Sequence, residues 1–366
     1  MHTVLILGGY GFFGQRIAAG LASDPAIRLL IGGRTLEKAK SACGALNLGV
    51  ENAVQIDANH PALSTSLEAL NVDTIIHTAG PFQSQDYRVA KSAIAAGCNY
   101  IDLADSRNFV AGIQTLNDAA KDRGVCVISG ASSVPSLSSA VVDRYRTKFS
   151  RLDEIRIGIG SGARAPGLAT VNGVFGYCGK PIQRLENGQW TETHGWLDLK
   201  RYRFADPVGM RLLGSCDVPD LELFPKRYPS VRTVTFHAGF ASSLGHLFVW
   251  MLSGLVRLGV LNSLTPWARP LQRLSQWMEP LVSDKGAMFV ELEGLGLDGQ
   301  MLMKRWNLVA SQNHGPFIPC GASIALAKKL AAGSQLPHGA MPCMGLLSVE
   351  EYLEPLRSLD VREIPA

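Results

Sequence analysis

The sequence VLILGGYGFFG occupies residues 4–14 and decides the fold of the N-terminal part of the chain. Its first four residues are apolar and predict a buried β-strand, and the residues after it have the spacing of an amphipathic helix up to Leu21. Between the two lie glycines at positions 8, 11 and 14. In nucleotide-binding folds such glycines permit a sharp turn, a close approach of the backbone to a diphosphate, and tight packing of helix on strand. The stretch therefore predicts a dinucleotide-binding turn.

Strand and helix patterns continue to alternate up to about residue 130. Further strands are predicted at residues 28–31, 52–56, 74–77, 100–103 and 125–129, with helical patterns between most of them. An alternation of this kind implies a parallel sheet with right-handed crossovers. We therefore predict an α/β protein that begins with a Rossmann domain, a doubly wound parallel sheet, at residues 1–130.

The sequence changes in character after residue 130. Long alternating stretches at residues 154–160, 233–236 and 287–297 predict a second sheet with one covered face. Helical patterns follow at residues 138–149, 320–333 and 348–359. A chain of 366 residues suits two domains, so a second domain of α/β or α+β type is expected.

Composition and charge exclude several classes of protein. With 46% hydrophobic and 18% charged residues, the chain is not disordered. A net charge of +4 gives no general reason to expect nucleic acid as a partner. Its seven cysteines are an odd number without a CxxC pair, which fits a reducing compartment, so we expect a cytoplasmic protein. No pair of His and Cys residues has zinc-type spacing, and we predict no metal.

One apolar segment, residues 241–261, needs an explanation of its own. It is interrupted by His246 and Arg257, and its uncharged part is short for a bilayer. A buried helix, a dimer face, contact with a membrane surface and a membrane span are all possible interpretations, of which the span fits worst.

The end of the second strand indicates which cofactor binds. NAD sites usually place Asp or Glu there, but residues 31–35 read IGGRT. Arg34 can pair with a 2′-phosphate, Thr35 can donate to it and cap the next helix, and Lys38 adds positive charge. NADP(H) is therefore expected rather than NAD, although Arg34 could also be a solvated residue at a helix start. The candidate cofactor-binding residues are Gly8, Gly11, Phe12, Gly14, Gly33, Arg34, Thr35, Asp57, Ala79, Gly80 and Pro81.

Candidate catalytic residues come from the ends of strands and from one loop. Asp105 follows the fifth strand and could orient a substrate amine or water, or else cap the helix that follows. Ser133 precedes a helix whose N–H groups could bind a carboxylate, and capping is the alternative. His314 could supply a proton near neutral pH, or make a structural bond in its loop. Asp102 is expected to anchor a buried loop.

Six stretches give the sequence a resemblance to the saccharopine dehydrogenase-like oxidoreductases. They are GGYGFFG at 8–14, GGRT at 32–35, TAGPF at 78–82, AAGCNYIDLADS at 95–106, GPFIP at 315–319 and GAMPCMGLLS at 339–348. The resemblance implies a Rossmann domain at residues 1–130, a substrate and dimerisation domain at 131–314, and C-terminal helices at 315–366 that return to the first domain. It also implies a nicotinamide cofactor, and we expect a homodimer.

Together, the motifs and the resemblance predict an NADP-dependent oxidoreductase. A hydride would pass between NADPH and a carbonyl, an imine or an activated double bond of a small substrate lying between the two domains, near Asp105, Ser133 and His314. The alternative is a non-catalytic NADP(H)-binding sensor or a membrane-associated interaction protein, which the apolar segment at 241–261 favours.

Overall fold

A computed structural model describes residues 1–162, 167–279 and 282–364. The chain divides into two compact units, the first comprising residues 1–137 and 319–355 and the second comprising residues 138–318 and the residues from Leu356 onward. The strands are β1 (His2–Leu7), β2 (Ile27–Gly33), β3 (Ala53–Gln55), β4 (Thr74–His77), β5 (Asn99–Asp102), β6 (Cys126–Ser129), β7 (Phe149–Gly160), β8 (Pro181–Glu186), β9 (Gln189–His194), β10 (Lys200–Arg203), β11 (Met210–Ser215), β12 (Thr233–Gly239), β13 (Gly286–Gly296), β14 (Met301–Ala310), β15 (Gly339–Pro342) and β16 (Val361–Ile364).

The α-helices alternate with the strands in the first part of the chain and are spread more widely after it. They are α1 (Gly14–Leu21), α2 (Leu36–Ala45), α3 (Leu63–Ala69), α4 (Arg88–Ala96), α5 (Arg107–Gly112), α6 (Asn117–Asp122), α7 (Ser138–Arg146), α8 (Leu168–Tyr177), α9 (Asp220–Arg227), α10 (Ser243–Arg257), α11 (Ala268–Met278), α12 (Gly321–Ala331) and α13 (Val349–Leu353).

The first unit contains a seven-stranded sheet in the order β15-β6-β5-β4-β1-β2-β3. Each pair of neighbouring strands is parallel. Four central strands, β1, β2, β4 and β6, are buried along almost their whole length because helices cover a doubly wound sheet on both faces. The predicted Rossmann fold is confirmed. Strand order reverses between β1 and β4, and ligands of such sheets bind beyond the carboxyl ends of the strands at this point.

The second unit contains a mixed sheet, in the order β10-β11-β12-β7-β13-β14-β16 with the β8–β9 hairpin attached to β12. Strands β12 and β7 are parallel, whereas β7, β13, β14 and β16 pair antiparallel. The predicted combination of a parallel sheet with a second domain of mixed type is therefore confirmed.

Several predicted elements differ from the structure at their ends. The helix predicted at 348–359 is α-helical only over Val349–Leu353. The helix predicted at 138–149 ends at Arg146, because Phe149 begins β7 and pairs with Gly296. The predicted C-terminal segment, residues 315–366, does not stay with the first unit to its end. Its last strand pairs with β14 of the second unit, where Asn307 lies opposite Ile364.

The apolar segment at 241–261 forms helix α10, which has 15 residues. Within the part of the chain that the structure describes, no helix combines the length and the apolar character needed to cross a bilayer.

Candidate functional site

The glycine turn at residues 8–14 adopts a backbone that side chains would prevent. Gly8 has φ of +90°, a conformation that favours glycine. Its N–H and that of Gly9 both donate to the Gly32 carbonyl, with N–O distances of 2.8 and 3.1 Å. A Cβ on residue 8 would lie 2.8 Å from the Thr78 hydroxyl oxygen. Glycine at position 8 is therefore required by both the dihedral angle and the neighbouring strand end.

Gly14 allows the first turn of α1 to pack against the glycine turn itself. A Cβ at this position would collide with the Gly8 carbonyl oxygen and would lie 2.8 Å from the Gly9 Cα, and neither backbone atom can move aside alone. A Cβ on Gly11 would also approach that carbonyl, to 3.0 Å. The turn thus leaves its backbone uncovered at the N-terminus of α1, where unpaired N–H groups attract phosphate.

The end of β2 is shaped by Tyr10. Its ring occupies the space beside Gly33, so that a Cβ on residue 33 would lie 2.6 Å from the ring Cζ. The Tyr10 hydroxyl accepts a hydrogen bond from the Thr35 N–H, at 3.1 Å. Thr35 is the residue before α2, as predicted, but its side chain makes no capping bond. The expected side-chain cap is therefore absent, and the contact with Tyr10 involves the Thr35 backbone only.

Two cations are available beside this strand end. Arg34 is exposed, and its side chain forms no ion pair with any residue in the described ranges. Lys38 is also exposed and lines a cleft of about 340 Å³ together with Gly9, Tyr10 and Ser41. Free cations next to a glycine turn are suited to a terminal phosphate group. These residues fit a 2′-phosphate and contain no carboxylate that would repel one.

The loop after β4 is fixed by two side chains. The Thr78 hydroxyl donates to the carbonyls of Leu7 and Gly8, at 3.0 and 3.1 Å. The Gln85 amide donates to the carbonyls of Ala79 and Pro81, at 2.7 and 2.9 Å. Residues 79–81 are therefore held at the carboxyl edge of the sheet, directly beside the glycine turn.

Asp57 makes a local turn. Its carboxylate accepts a hydrogen bond from the Asn59 N–H at 3.0 Å. This is the contact that a loop carboxylate makes two residues ahead in the chain. Its role in cofactor binding stays a prediction.

A buried polar chain runs beneath this edge of the sheet. His77 and Asp102 end neighbouring strands and lie opposite each other in register. The His77 Nδ1 lies 3.1 Å from the Tyr100 hydroxyl. Burial lowers the pKa of His77 to about 4, so the ring is neutral. Sequence reasoning missed Tyr100, although its position two residues before Asp102 puts both side chains on one face of β5.

Asp102 anchors the loops that follow β5 and β6. Its Oδ1 accepts hydrogen bonds from the Gly130 N–H, the Ala104 N–H and the Ser129 hydroxyl, at 2.8, 2.9 and 3.0 Å. Burial nevertheless raises its pKa to about 6. Asp102 therefore acts as a loop anchor, and these bonds fix the chain that leads to Ser133.

The three predicted catalytic residues have different surroundings. The Asp105 carboxylate accepts a hydrogen bond from the Gln83 amide at 3.0 Å, and the residue before α5 is Ser106, so Asp105 does not cap that helix. Loss of water raises the pKa of Asp105. Ser133 is buried and shares a hydrogen bond with the Tyr352 hydroxyl. Both lie in the first unit.

His314 lies in the second unit. Its Nδ1 accepts a hydrogen bond from the Asp360 N–H at 2.9 Å, and its ring meets Phe317 edge-on with centroids 5.8 Å apart. One ring nitrogen therefore has a structural partner. A role for His314 as a proton donor stays a prediction. Residues 1–162, 167–279 and 282–364 contain no group of three His, Cys, Asp or Glu side chains that could hold a metal ion.

The glycine turn, the free cations and the β4 loop agree with a comparison of the sequence with protein families. Residues 4–128 match the model of the saccharopine dehydrogenase NADP binding domain. This part of the chain is therefore similar to the NADP-binding domain of saccharopine dehydrogenases. Its cofactor is NADP(H), as Arg34 and the missing acid at the end of β2 predict. No curated protein sequence matches the chain.

Solved structures resemble the whole chain in fold. Saccharopine dehydrogenase (L-Glu forming) from Saccharomyces cerevisiae matches with a TM-score of 0.68 and 14% sequence identity, over 100% of both chains. An amine dehydrogenase from Mycobacterium smegmatis matches with a TM-score of 0.49 and 12% identity, over 96% of this chain and 95% of that one. The NADP-binding domain and the mixed-sheet unit thus together have the fold of the yeast protein.

Proposed function

We propose that the protein is an NADPH-dependent oxidoreductase that transfers a hydride between NADPH and a carbonyl, an imine or an activated double bond of a small substrate. The observation that carries this proposal is the glycine turn at residues 8–14, packed on Thr78 where the strand order reverses. Dehydrogenases with this fold bind their cofactor across that point. The fold shared with a yeast dehydrogenase supports the same class of reaction.

Particular residues of the NADP-binding domain would hold each part of the cofactor. The backbone of the glycine turn and the N-terminus of α1 would bind the diphosphate. Arg34 and Lys38 would pair with the 2′-phosphate, since both are exposed beside β2. Residues 79–81, which Gln85 holds at the carboxyl edge, would border the nicotinamide side.

The chain must also deliver or accept a proton at the substrate. When bound, NADPH supplies a hydride, so the acceptor gains two electrons and is completed by one proton from a protein group or from water. Asp105 is the group we assign near the reacting atoms. Its raised pKa favours the protonated carboxyl group more than the pKa of an exposed Asp would. The Gln83 amide fixes its orientation.

Turnover of the cofactor is the direct test. Purified protein is mixed with NADPH and a panel of aldehydes, ketones, 2-oxo acids with and without amines, and α,β-unsaturated carbonyl compounds, and absorbance at 340 nm is followed. Oxidation with at least one class supports the proposal. Binding of NADPH without oxidation by any of them would show a non-catalytic sensor instead.

The Arg34→Ala variant tests the cofactor assignment separately. Loss of a charge-assisted contact of about 1.5–3 kcal/mol corresponds to NADPH binding weakened by roughly 10- to 150-fold. NADH binding should change little. Arg28→Ala, which removes an exposed arginine at the other end of β2, is the matched control and should leave both constants unchanged. If Arg34→Ala weakened the binding of NADPH and NADH equally, the 2′-phosphate contact would be refuted.

A further inference from the structure

Helix α10 presents apolar side chains on the side where a surface helix is usually polar. Its inner side is buried through His246, Val249, Ser253 and Val256. The opposite side exposes large apolar side chains, including Leu244 with 77% of its surface accessible. The exposed residues on this side are Leu244, Leu247, Phe248, Trp250 and Met251. Exposure of such a face to water is unfavourable, so the pattern indicates that a partner covers it.

Helix α11 continues this apolar surface and adds positive charge. Leu274 and the more exposed Trp277 lie three residues apart on one side of the helix, and Arg269 and Arg273 lie four residues apart on an adjacent side. Leu274 and Phe248 of α10 line the same cavity, of about 160 Å³, and both side chains are also exposed. The two helices therefore form one surface, which we call the α10–α11 face.

The charged residues of helices α10 and α11 are all arginines, and Glu279 directly follows α11. Residues 241–278 contain no Asp or Glu, although the whole chain has 31 acidic residues. The same stretch contains Arg257, Arg269 and Arg273, all of them exposed. It also contains three of the six tryptophans, Trp250, Trp267 and Trp277, which are exposed to 40, 55 and 77%. Arginine and tryptophan beside exposed leucine are the residues that anchor helices at the interface of a bilayer.

The lengths of the helices indicate how such a face would lie on a membrane. Helix α10 has 15 residues and is about 22 Å long at 1.5 Å per residue. The hydrocarbon core of a bilayer is about 30 Å thick, so α10 is too short to span it. An orientation parallel to the surface would bury the apolar side chains and leave the arginines at the headgroups.

We propose that the α10–α11 face binds the surface of a lipid bilayer that contains anionic lipids. A second copy of the chain is a less suitable partner, because in a twofold interface the face would meet itself. The arginines of both copies would then share one interface, in which residues 241–278 supply no carboxylate and Glu279 is the first acidic residue after them. Anionic headgroups supply the opposite charge, and the acyl region supplies the apolar environment.

Sedimentation with vesicles tests the proposal. The full-length protein is mixed with vesicles of phosphatidylcholine alone and of phosphatidylcholine with 30% phosphatidylglycerol, at 0.1 and 0.5 M NaCl. We expect binding to the anionic vesicles that weakens at high salt, because salt screens exposed charges. Arg269→Gln with Arg273→Gln should weaken that binding roughly 30-fold, at about fivefold for each charge near the surface.

Matched variants separate the apolar contribution from general effects. Leu244→Ser with Trp277→Ser should reduce vesicle binding more than tenfold at both salt concentrations. Leu297→Ser, at a residue equally exposed but outside the face, and Arg201→Gln on β10 should bind like the unchanged protein. Unaltered melting temperatures and NADPH binding would show that each variant is folded.

Two results would overturn the proposal. One is vesicle binding that the Leu244/Trp277 and Arg269/Arg273 variants leave unchanged. The other is an absence of vesicle binding. In that case a smaller mass of the Leu244/Trp277 variant in analytical ultracentrifugation would show that the face joins two copies of the chain.

Discussion

The Tyr10 ring fills the space that a side chain on Gly33 would need. A Cβ on residue 33 would lie 2.6 Å from both the ring Cζ and the hydroxyl oxygen of Tyr10. The same hydroxyl accepts the Thr35 N–H at 3.1 Å. Tyr10 thus joins the glycine turn to the end of β2, which carries Arg34. The shape of the region assigned to the 2′-phosphate depends on this one packed pair.

A double-mutant cycle tests this dependence. Gly33→Ala alone should displace the Tyr10 ring, break its bond to Thr35, and weaken NADPH binding about tenfold. In a Tyr10→Ala background the new methyl group has space, so Gly33→Ala should weaken NADPH binding little further. Dissociation constants measured by NADPH fluorescence for the four variants of the cycle give the interaction free energy between the two residues. For residues in contact this energy is typically about 0.5–3 kcal/mol. Additive losses would show that the two residues act independently.

Gly14→Ala should abolish most of the NADPH binding without unfolding the protein. The added methyl group meets backbone atoms of Gly8 and Gly9, so the turn itself must open. We expect the dissociation constant of NADPH to rise at least 100-fold in a fluorescence titration. Gly44→Ala in α2 is the matched control, because no atom lies within 4 Å of its new Cβ. It should leave binding unchanged and stabilise the helix by about 0.5–1 kcal/mol. Equal effects of the two substitutions would contradict the packing argument.

The fold of the first unit was predictable because its physical signal is local. Buried parallel strands are continuous apolar runs, and residues 74–77 were predicted as a strand with the bounds that β4 has in the structure. Strand β16 was not predicted, because its four residues are partly exposed and become a strand only by pairing with β14. Its position depends on a partner about 50 residues away, which no local pattern records.

The candidate site was predictable where it depends on backbone geometry. The glycines at 8, 11 and 14 predict a turn by spacing alone, whereas the Tyr10–Gly33 contact depends on side-chain packing across 23 positions. The apolar segment at 241–261 likewise could not be interpreted fully from its sequence. Its hydropathy left a buried helix, a dimer face and membrane contact open, and only the structure shows a helix with apolar side chains on both sides, one packed inward and one exposed.

All seven cysteines lie within the described residues as buried thiols that form no disulfide there. Burial raises the pKa of Cys98, Cys216, Cys320 and Cys343 to about 12, and this keeps the reactive thiolate scarce. We expect fewer than one thiol per chain to react rapidly with Ellman's reagent at pH 8, and seven to react in guanidinium. A Ser334→Cys variant, with its thiol at an exposed position, should add one rapidly reacting group. Several fast thiols in the unchanged protein would contradict the packing described for them.

Asp220 should make the stability of the second unit depend on pH. It opens α9 with one carboxyl oxygen accepting the Ser138 hydroxyl and the other buried without a partner. Burial raises its pKa from 3.8 to about 7. Between these values the folded chain holds a proton that the unfolded chain has lost, so stability falls as pH rises from about 4 to 7. The loss approaches about 4 kcal/mol above pH 7, at 1.36 kcal/mol per pKa unit.

Asp220→Asn cannot ionise and should remove this dependence. The difference in unfolding free energy between Asp220→Asn and the unchanged protein, from urea denaturation at pH 4.5, 6 and 8, should shift in favour of the variant as pH rises. Asp122→Asn, which alters an exposed carboxyl group at the end of α6, should give a difference that is constant across the same range. If the Asp220→Asn difference were also constant, the carboxyl would be ionised in the folded protein throughout, and burial would not control its proton.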